Sequence, residues 1–371
     1  MAIEYDPDYA SSLFPDFDEP TTKKLFYVDS WITIVARAID ANNTVIAFFC
    51  SLILIFHIVI LCQKQMRKSV INECMLATSI SYFVYMTTVL ETSLAEWQGA
   101  TPECQPPLPL FVKHLQNIFY TATNYSRRCS TWLGISMALI RLIILKSSTD
   151  SRFRKITELK NGRKLILFTV FLAIPLSIFY FLRFKIEEYD PWTPAETCSG
   201  FPKNYSQPYY GLVTSALFEW NDSLIYQVYL FLDGTFSKAV PGILYPILTV
   251  VLIRELQSAR KLKNGTVSTR NNEKTTRLVA YMTLSHLFSD LPVGILAIIQ
   301  SWIINISGFF SITTNLTSIF MTIFMLNSVF QCFIYYAISQ QYRETLKDLL
   351  ATVRDRLYPR STEVQSATNG S

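Results

Sequence analysis

Residues 44–62 read TVIAFFCSLILIFHIVILC, a continuous and almost wholly apolar stretch. Its 19 residues are close to the ~20 that an α-helix needs to cross a hydrocarbon core of ~30 Å. The apolar character is continuous, whereas a strand of a membrane barrel alternates between polar and apolar residues. The stretch therefore predicts a transmembrane α-helix.

Further apolar runs of similar length follow along the chain. Together with the first, they predict spans at residues 44–62, 75–94, 115–145, 165–182, 236–256, 278–304 and 309–338. Half of the residues are hydrophobic and only 16% are charged, which favours lipid as the solvent. We predict an all-α membrane protein, a bundle of seven transmembrane helices without an evident internal repeat.

The distribution of Lys and Arg gives the orientation. Basic residues concentrate between spans one and two, three and four, and five and six, and again after span seven. This side is expected to be cytoplasmic, which places the acidic N-terminus outside. The first residues lack a basic and apolar signal pattern, so we expect the first span itself to direct membrane insertion. The expected location is the plasma membrane, as a multi-pass protein.

These features divide the chain into four predicted segments. Residues 1–43 form an extracellular acidic segment, 44–338 the seven-span domain, 339–358 an amphipathic helix and 359–371 a disordered cytoplasmic tail. The amphipathic segment repeats apolar residues at helical spacing between basic flanks, which is typical of a helix on the inner leaflet. Its apolar residues are Tyr342, Leu346, Leu349, Leu350, Val353 and Leu357. An amphipathic helix that binds another protein is the alternative.

Two cysteines and two asparagines fall in predicted extracellular loops. Cys104 and Cys198 are expected to form a disulfide there, since that compartment is oxidising. Two free surface thiols are the alternative. Asn204 and Asn221, in the long second extracellular loop, are the candidate glycosylation sites.

Motifs of enzymes are absent from the sequence. It contains no metalloprotease helix motif, phosphate loop or nucleophile elbow, and its three histidines lie on separate spans or span edges. We interpret His57, His114 and His286 as packed, hydrogen-bonded residues. We expect no catalytic residue, no metal, no cofactor and no nucleic-acid partner.

The third predicted span ends in Cys129-Ser-Thr-Trp-Leu-Gly-Ile-Ser-Met-Ala-Leu-Ile-Arg141. This run resembles the nematode serpentine chemoreceptors of class W, a rhodopsin-like group close to myosuppressin and FMRFamide-like peptide receptors. Further matches, covering roughly residues 56–350, are FHIVIL at 56–61, KAVP at 238–241, LIREL at 252–256, DLPVG at 290–294 and NS at 327–328.

The resemblance implies a G-protein-coupled receptor that performs no covalent chemistry. Its implied partners are an extracellular peptide, such as an FMRFamide-like or myosuppressin-like neuropeptide, or a chemosensory cue, together with a heterotrimeric G protein and membrane lipid. A transporter or channel remains the alternative, with Arg127, Arg128 and Asp290 marking a permeation path.

The resemblance also implies that Arg141 and Asn327 serve G-protein coupling. Departures from the rhodopsin-like pattern surround them: Ile140 and Leu142 flank the arginine, and Ser328 and Gln331 follow the asparagine. Leu54 and Tyr82 replace polar residues of the first and second helices. A sodium-dependent resting state is therefore not expected.

Helical geometry predicts an ion pair at the floor of the ligand pocket. Arg127 lies about 21 Å above Arg141 on the third helix, and Asp290 about 20 Å above Arg277 on the sixth. Arg127 returns to within about 40° of the face of Arg141, whereas Arg128 points elsewhere, to a neighbouring helix or the headgroups. An arginine of an agonist could then compete for Asp290. Asn124, Ser130 and Trp302 complete the predicted ligand-binding set.

Overall fold

The computed structural model of the protein describes residues 5–98, 104–147, 158–262 and 267–357. The predicted tail, residues 359–371, lies outside these ranges. Seven helical spans within them are long and apolar enough to cross a membrane, which confirms the predicted bundle. The α-helices are α1 (Pro7–Leu13), α2 (Glu19–Leu61), α3 (Val70–Gln98), α4 (Leu110–Ser147), α5 (Leu159–Leu172), α6 (Ile174–Leu182), α7 (Ala216–Gly234), α8 (Val240–Leu262), α9 (Val267–Trp302), α10 (Ser307–Ile338) and α11 (Gln340–Leu357).

Two of the spans are made of two helices each. The fourth span joins α5 to α6 just before Pro175, a residue that cannot donate a backbone hydrogen bond. The fifth span joins α7 to α8 through a π-helical turn, Thr235–Ala239. Near its outer end, α7 is broken at residues 220–223, where Asn221, Asp222 and Ser223 have positive φ.

The helix of the first span, α2, begins at Glu19, 25 residues before the predicted start at Thr44. Polar residues hid this extension from the hydropathy pattern, and the structure pairs several of them with α10. Side-chain hydrogen bonds form a ladder between the two helices: Asp29 with Ser311 (2.8 Å), Thr33 with Asn315 (2.8 Å), Asp40 with Ser318 (2.5 Å) and Asn43 with Thr322 (2.7 Å). At 43 residues, α2 is about 64 Å long, roughly twice the hydrocarbon core.

The short helix α1 covers the outer end of α10. Phe14 is almost fully buried, and its ring lies 5.4 Å from that of Phe309 in an edge-to-face contact. Gly308 allows this approach, because a Cβ there would overlap the Phe14 ring. Much of the predicted extracellular segment is thus helical and packed on the bundle.

The second extracellular loop contains a β-hairpin that the apolar runs did not predict. Its strands are β1 (Phe184–Trp192) and β2 (Gln207–Thr214), paired antiparallel. The predicted disulfide Cys104–Cys198 is formed and ties this loop to the segment before α4. A hydrogen bond from Gln207 Nε2 to the Pro107 carbonyl (2.9 Å) joins the same two regions.

The inner half of the bundle holds a hydrophobic core on which α11 packs. Met66, Met75 and Met137 are among its fully buried residues. Tyr342 of α11 is buried in this core, and its hydroxyl lies 2.8 Å from His57 Nδ1. The predicted helix after the seventh span is therefore present, and its position on the inner leaflet stays a prediction.

Candidate ligand and coupling sites

A buried ion cluster joins the third, fourth and fifth spans. Arg128 donates from Nε to Asp233 Oδ1 (2.7 Å), from Nη1 to Ser177 Oγ (2.8 Å) and from Nη2 to the Tyr229 hydroxyl (2.6 Å). Lys238 Nζ donates to the other oxygen of Asp233 (2.5 Å). Because a buried charge is costly unless it is paired and hydrogen-bonded, this cluster explains how two cations and a carboxylate coexist in the bundle.

The prediction for Arg128 was that it would turn to a neighbouring helix, and the structure confirms this. Its partner Asp233 was missed, although a carboxylate five residues before Lys238 in an apolar run was a signal. Ionisable residues inside spans are rare and are usually paired. If Asp233 and Lys238 are taken as a buried pair, the fifth span must begin before residue 236, where the apolar pattern predicted its start.

The π-helical turn lies directly below Asp233 and against the sixth span. A Cβ added to Gly234 would lie 3.0 Å from the Gly294 carbonyl oxygen, so the backbones of α7 and α9 approach closely there. A Cβ added to Gly294 would lie 2.8 Å from Lys238 Cβ. Since π-turns are frequent at functional sites, this contact is a candidate hinge between the fifth and sixth spans.

The predicted ion pair between Arg127 and Asp290 is wrong. Arg127 Nη1 points to Met321 Sδ of α10 (2.7 Å), and Asp290 accepts instead from Thr131 Oγ1 (2.9 Å). Thr131 lies one helical turn, about 6 Å, further inward than Arg127, so Asp290 is deeper than the spacing argument placed it. Within the described ranges, no carboxylate forms an ion pair with Arg127.

Asp290 belongs to a second buried network. His286 Nδ1 lies 3.3 Å from Asp290 Oδ2, and His286 Nε2 lies 3.0 Å from the Gln331 amide nitrogen. This pattern fits a tautomer in which Nδ1–H donates to the carboxylate and Nε2 accepts from the amide. The same amide donates to the Tyr82 hydroxyl (3.0 Å). Tyr245 stacks on the imidazole and donates to the Thr131 carbonyl (2.6 Å).

This network contains two of the departures from the rhodopsin-like pattern. Tyr82 and Gln331 replace residues of the second and seventh helices, and the structure brings them into direct contact. The two substitutions therefore act as a pair that joins these helices through His286 to the sixth. The interpretation of His286 as a packed, hydrogen-bonded residue is confirmed.

The remaining predicted ligand residues do not gather around Arg127 and Asp290. Ser130 donates to the Arg127 carbonyl within its own helix (2.8 Å). Asn124 donates to the Tyr120 carbonyl (3.1 Å) and also interacts with Tyr180. Trp302 has a 79% exposed side chain, which a role in an enclosed pocket would not allow.

The candidate coupling residues lie toward the cytoplasmic side. Arg141 is half-buried, and its buried Nε has no hydrogen-bond partner among the described residues. Ile140 precedes it, so the chain supplies no adjacent carboxylate. Asn327 donates to Ser289 Oγ of α9 (3.4 Å), which links the sixth and seventh spans.

A cavity of about 480 Å³ opens at the extracellular end of the bundle. The hairpin, the outer end of α7 and the turn between α9 and α10 surround it. Its lining residues are Arg183, Thr214, Phe218, Glu219, Ser223, Tyr226, Ile304, Asn305, Ser307 and Phe310. No sequence motif predicts this set, because its members come from separate segments of the chain.

The two candidate glycosylation sites are both exposed. Asn204, in the hairpin loop, has φ 64°, and Asn221, at the break in α7, has φ 50°. Asparagine tolerates this left-handed region better than most residues do. Asn221 lies in a helix break of the fifth span and not in the loop that the apolar pattern predicted, and occupancy at both sites stays a prediction.

The fold defines a seven-transmembrane receptor of the plasma membrane, with its N-terminus outside and a short helix after the seventh span. The sequence profile of the serpentine-type 7TM GPCR chemoreceptor Srw family matches residues 41–352. The chain belongs to this family. A search of curated proteins finds no match.

Proposed function

We propose that this protein is a chemosensory G-protein-coupled receptor that transmits occupancy of the outer cavity to a heterotrimeric G protein. The observation that carries the proposal is a continuous buried path from the cavity to the centre of the bundle. Tyr226 and Phe218 line the cavity and pack on Tyr229, whose hydroxyl accepts from Arg128. A change at the cavity would therefore reach the ion cluster directly.

The path continues from the ion cluster to the sixth span. Asp233 holds Lys238, and Lys238 lies in the π-helical turn that packs against Gly294. Pro292 lies two residues before Gly294 and frees a backbone carbonyl in α9. An altered π-turn could thus be accommodated by a shift of α9 about Pro292.

The network around Asp290 stabilises the described arrangement of the bundle. It holds the third, sixth and seventh spans together through Thr131, His286 and Gln331. A ligand shifts an equilibrium between two packings only by its differential affinity for them. We propose that the described packing is one state and that agonist binding favours another with a different α9 position.

The ligand that we propose is a peptide or peptide-like molecule, with an environmental chemosensory cue as the alternative. The extracellular hairpin supports this, because Thr214 at the end of its second strand lines the cavity. A neuropeptide of the myosuppressin or FMRFamide-like type remains within this proposal. Asp290 is not favoured as a direct ligand group, since it is 3% exposed and hydrogen-bonded within the bundle.

The test of coupling is Arg141→Ala. We expect this variant to reach the cell surface at parental levels and to lose GTP-dependent signalling, because Arg141 has an unpaired donor near the cytoplasmic face. Lys146→Ala is the matched control, since Lys146 is a basic residue one turn further along α4 that pairs with Glu255. The measurement is nucleotide exchange on G proteins in membranes of cells that express each variant.

Unchanged exchange in Arg141→Ala would refute the coupling role. Solute uptake that persists without G proteins would instead favour the transporter. The paired state of Arg128 and Asp233 argues against that alternative, because both groups are occupied by structural partners.

A further inference from the structure

The outer cavity contains a cation, Arg183, whose side chain interacts with Tyr226 but forms no ion pair with a described carboxylate. Arg183 follows α6 directly, and its guanidinium lies 4.3 Å from the centroid of the Tyr226 ring and 4.8 Å from that of Phe184. Its Nε is buried and has no hydrogen-bond partner among the described residues. No described carboxylate forms an ion pair with it. A guanidinium held between aromatic rings in this way can still donate two hydrogen bonds to one carboxylate or phosphate group.

The one carboxylate in the cavity lining does not pair with Arg183. Glu219 is exposed to solvent, and it acts on Lys185 of β1. The pKa of Lys185 is raised, chiefly by its hydrogen bond to Glu187 and in smaller part by Glu219. Glu219 is thus hydrated and forms no ion pair with Arg183, so the guanidinium can bind an anionic ligand.

The rest of the lining suits an apolar body. Tyr226, Ile304 and Phe310 are partly exposed apolar or aromatic members of the lining, and the volume of about 480 Å³ lies within the usual ~300–1,000 Å³ of small-molecule pockets. The cavity therefore combines one available cation with aromatic and aliphatic walls.

The interior beneath the cavity adds positive potential. Arg127, Arg128 and Lys238 all act electrostatically on the single carboxylate of Asp233. The Tyr229 hydroxyl, beneath the cavity residues Phe218 and Tyr226, is bonded to one of these cations. An excess of buried cations below an apolar floor attracts an anion into the cavity and repels a cation.

We propose that the ligand carries a carboxylate that Arg183 binds, with an apolar or aromatic body against Tyr226 and Phe310. The proposal rests on the proposed receptor function and names the ligand class: an aromatic or aliphatic acid, or a peptide with a free C-terminal carboxylate. An amidated peptide end, which has no charge, would not satisfy Arg183.

The test compares two probes that differ only in this charge. N-acetyl-phenylalanine and N-acetyl-phenylalanine amide are titrated into the full chain in lipid nanodiscs, and binding is followed by saturation-transfer NMR. We expect the acid to bind about tenfold more tightly than the amide, as for one charge-assisted hydrogen-bonded contact. Arg183→Gln should remove this preference, and Arg183→Lys should keep part of it because it keeps the charge.

Lys185→Gln is the matched control, because Lys185 is an exposed cation of the same hairpin that does not line the cavity. It should retain the parental preference, and thermal unfolding checks that each variant is folded. Equal binding of acid and amide, binding of neither, or an acid preference that survives Arg183→Gln would overturn the inference. Saturation by phosphocholine but not by the acid would also overturn it and would assign Arg183 to lipid headgroups.

The binding measurement needs no G protein, so the two proposals fail separately. Acid-selective binding without GTP-dependent signalling would refute the receptor function alone. Signalling by a receptor that shows no acid preference would refute only the ligand class.

Discussion

Asp233 is the residue on which the buried charges of the fifth span depend. It accepts from Arg128 at 2.7 Å and from Lys238 at 2.5 Å, and its own side chain is 6% exposed. A carboxylate shared by two cations stabilises them only while it is ionised and in place. Both cations reach it from the interior, where water cannot substitute for a lost anion.

Asp233→Asn should therefore destabilise the protein by about 3–5 kcal/mol, the usual cost of breaking a buried ion pair on one side. The measurement is thermal unfolding of the purified protein together with its surface expression. Asp222→Asn is the control, since Asp222 is an exposed carboxylate on the same helix. An Asp233→Asn variant that unfolds with the parent would show that Asp233 is dispensable for holding these cations.

The helix α11 presents two apolar surfaces with different partners. Tyr342, Leu346 and Leu349 pack on the inner core of the bundle. Leu350 and Val353 are 58% and 45% exposed to the surroundings of the protein. The second surface is the one that the inner leaflet would cover, as the amphipathic spacing predicts.

Leu350→Asp should leave thermal unfolding in detergent unchanged and should reduce signalling or surface delivery in cells. The expected loss corresponds to the membrane burial of one leucine, about 1.5–3 kcal/mol. Leu346→Asp should instead lower thermal stability in detergent, because Leu346 contacts the core. Thr352→Asp adds the same charge at an exposed position elsewhere on α11 and is the control. Parental behaviour of Leu350→Asp in cells would count against a helix on the membrane.

For the whole molecule, the extracellular end is assembled from segments far apart in the chain. The disulfide spans 94 residues and joins the hairpin loop to the segment before α4. The N-terminal helices cover the outer end of α10, whose first residues also line the cavity. The shape of the cavity thus depends on two connections outside the hydrocarbon core.

Cys104→Ser should lower the free energy of unfolding by about 2–5 kcal/mol, as the loss of a native disulfide commonly does. Cys198→Ser and the double variant should lose the same amount, because each removes the same bond. Thermal unfolding measures the loss, and Cys62→Ser, at an exposed free cysteine, is the control. Additive effects of the two single variants would contradict a shared bond.

The number of spans and the disulfide could be predicted from the sequence, and the structure confirms both. They depend on the length of apolar runs and on which cysteines fall outside the membrane, which are local properties of the chain. From the side on which Lys and Arg lie, the sequence also predicts the orientation, which stays a prediction. It did not reveal the outer extension of α2, because Asp29 and Asp40 break the apolar pattern and are satisfied only by α10. It also did not reveal the outer half of the fifth span, because Asp233 breaks the apolar pattern there and is paired only in the folded bundle.

The contacts between charged groups depend on the tertiary packing and could not be predicted from the sequence. Ideal helical geometry placed Arg127 opposite Asp290, yet the sixth span sits one turn deeper and presents Asp290 to Thr131. An offset of about 6 Å between neighbouring helices is set by their packing and not by residue spacing within either helix. For the same reason the cavity around Arg183, built from the fourth span, the hairpin and three other segments, exists only once the bundle has assembled.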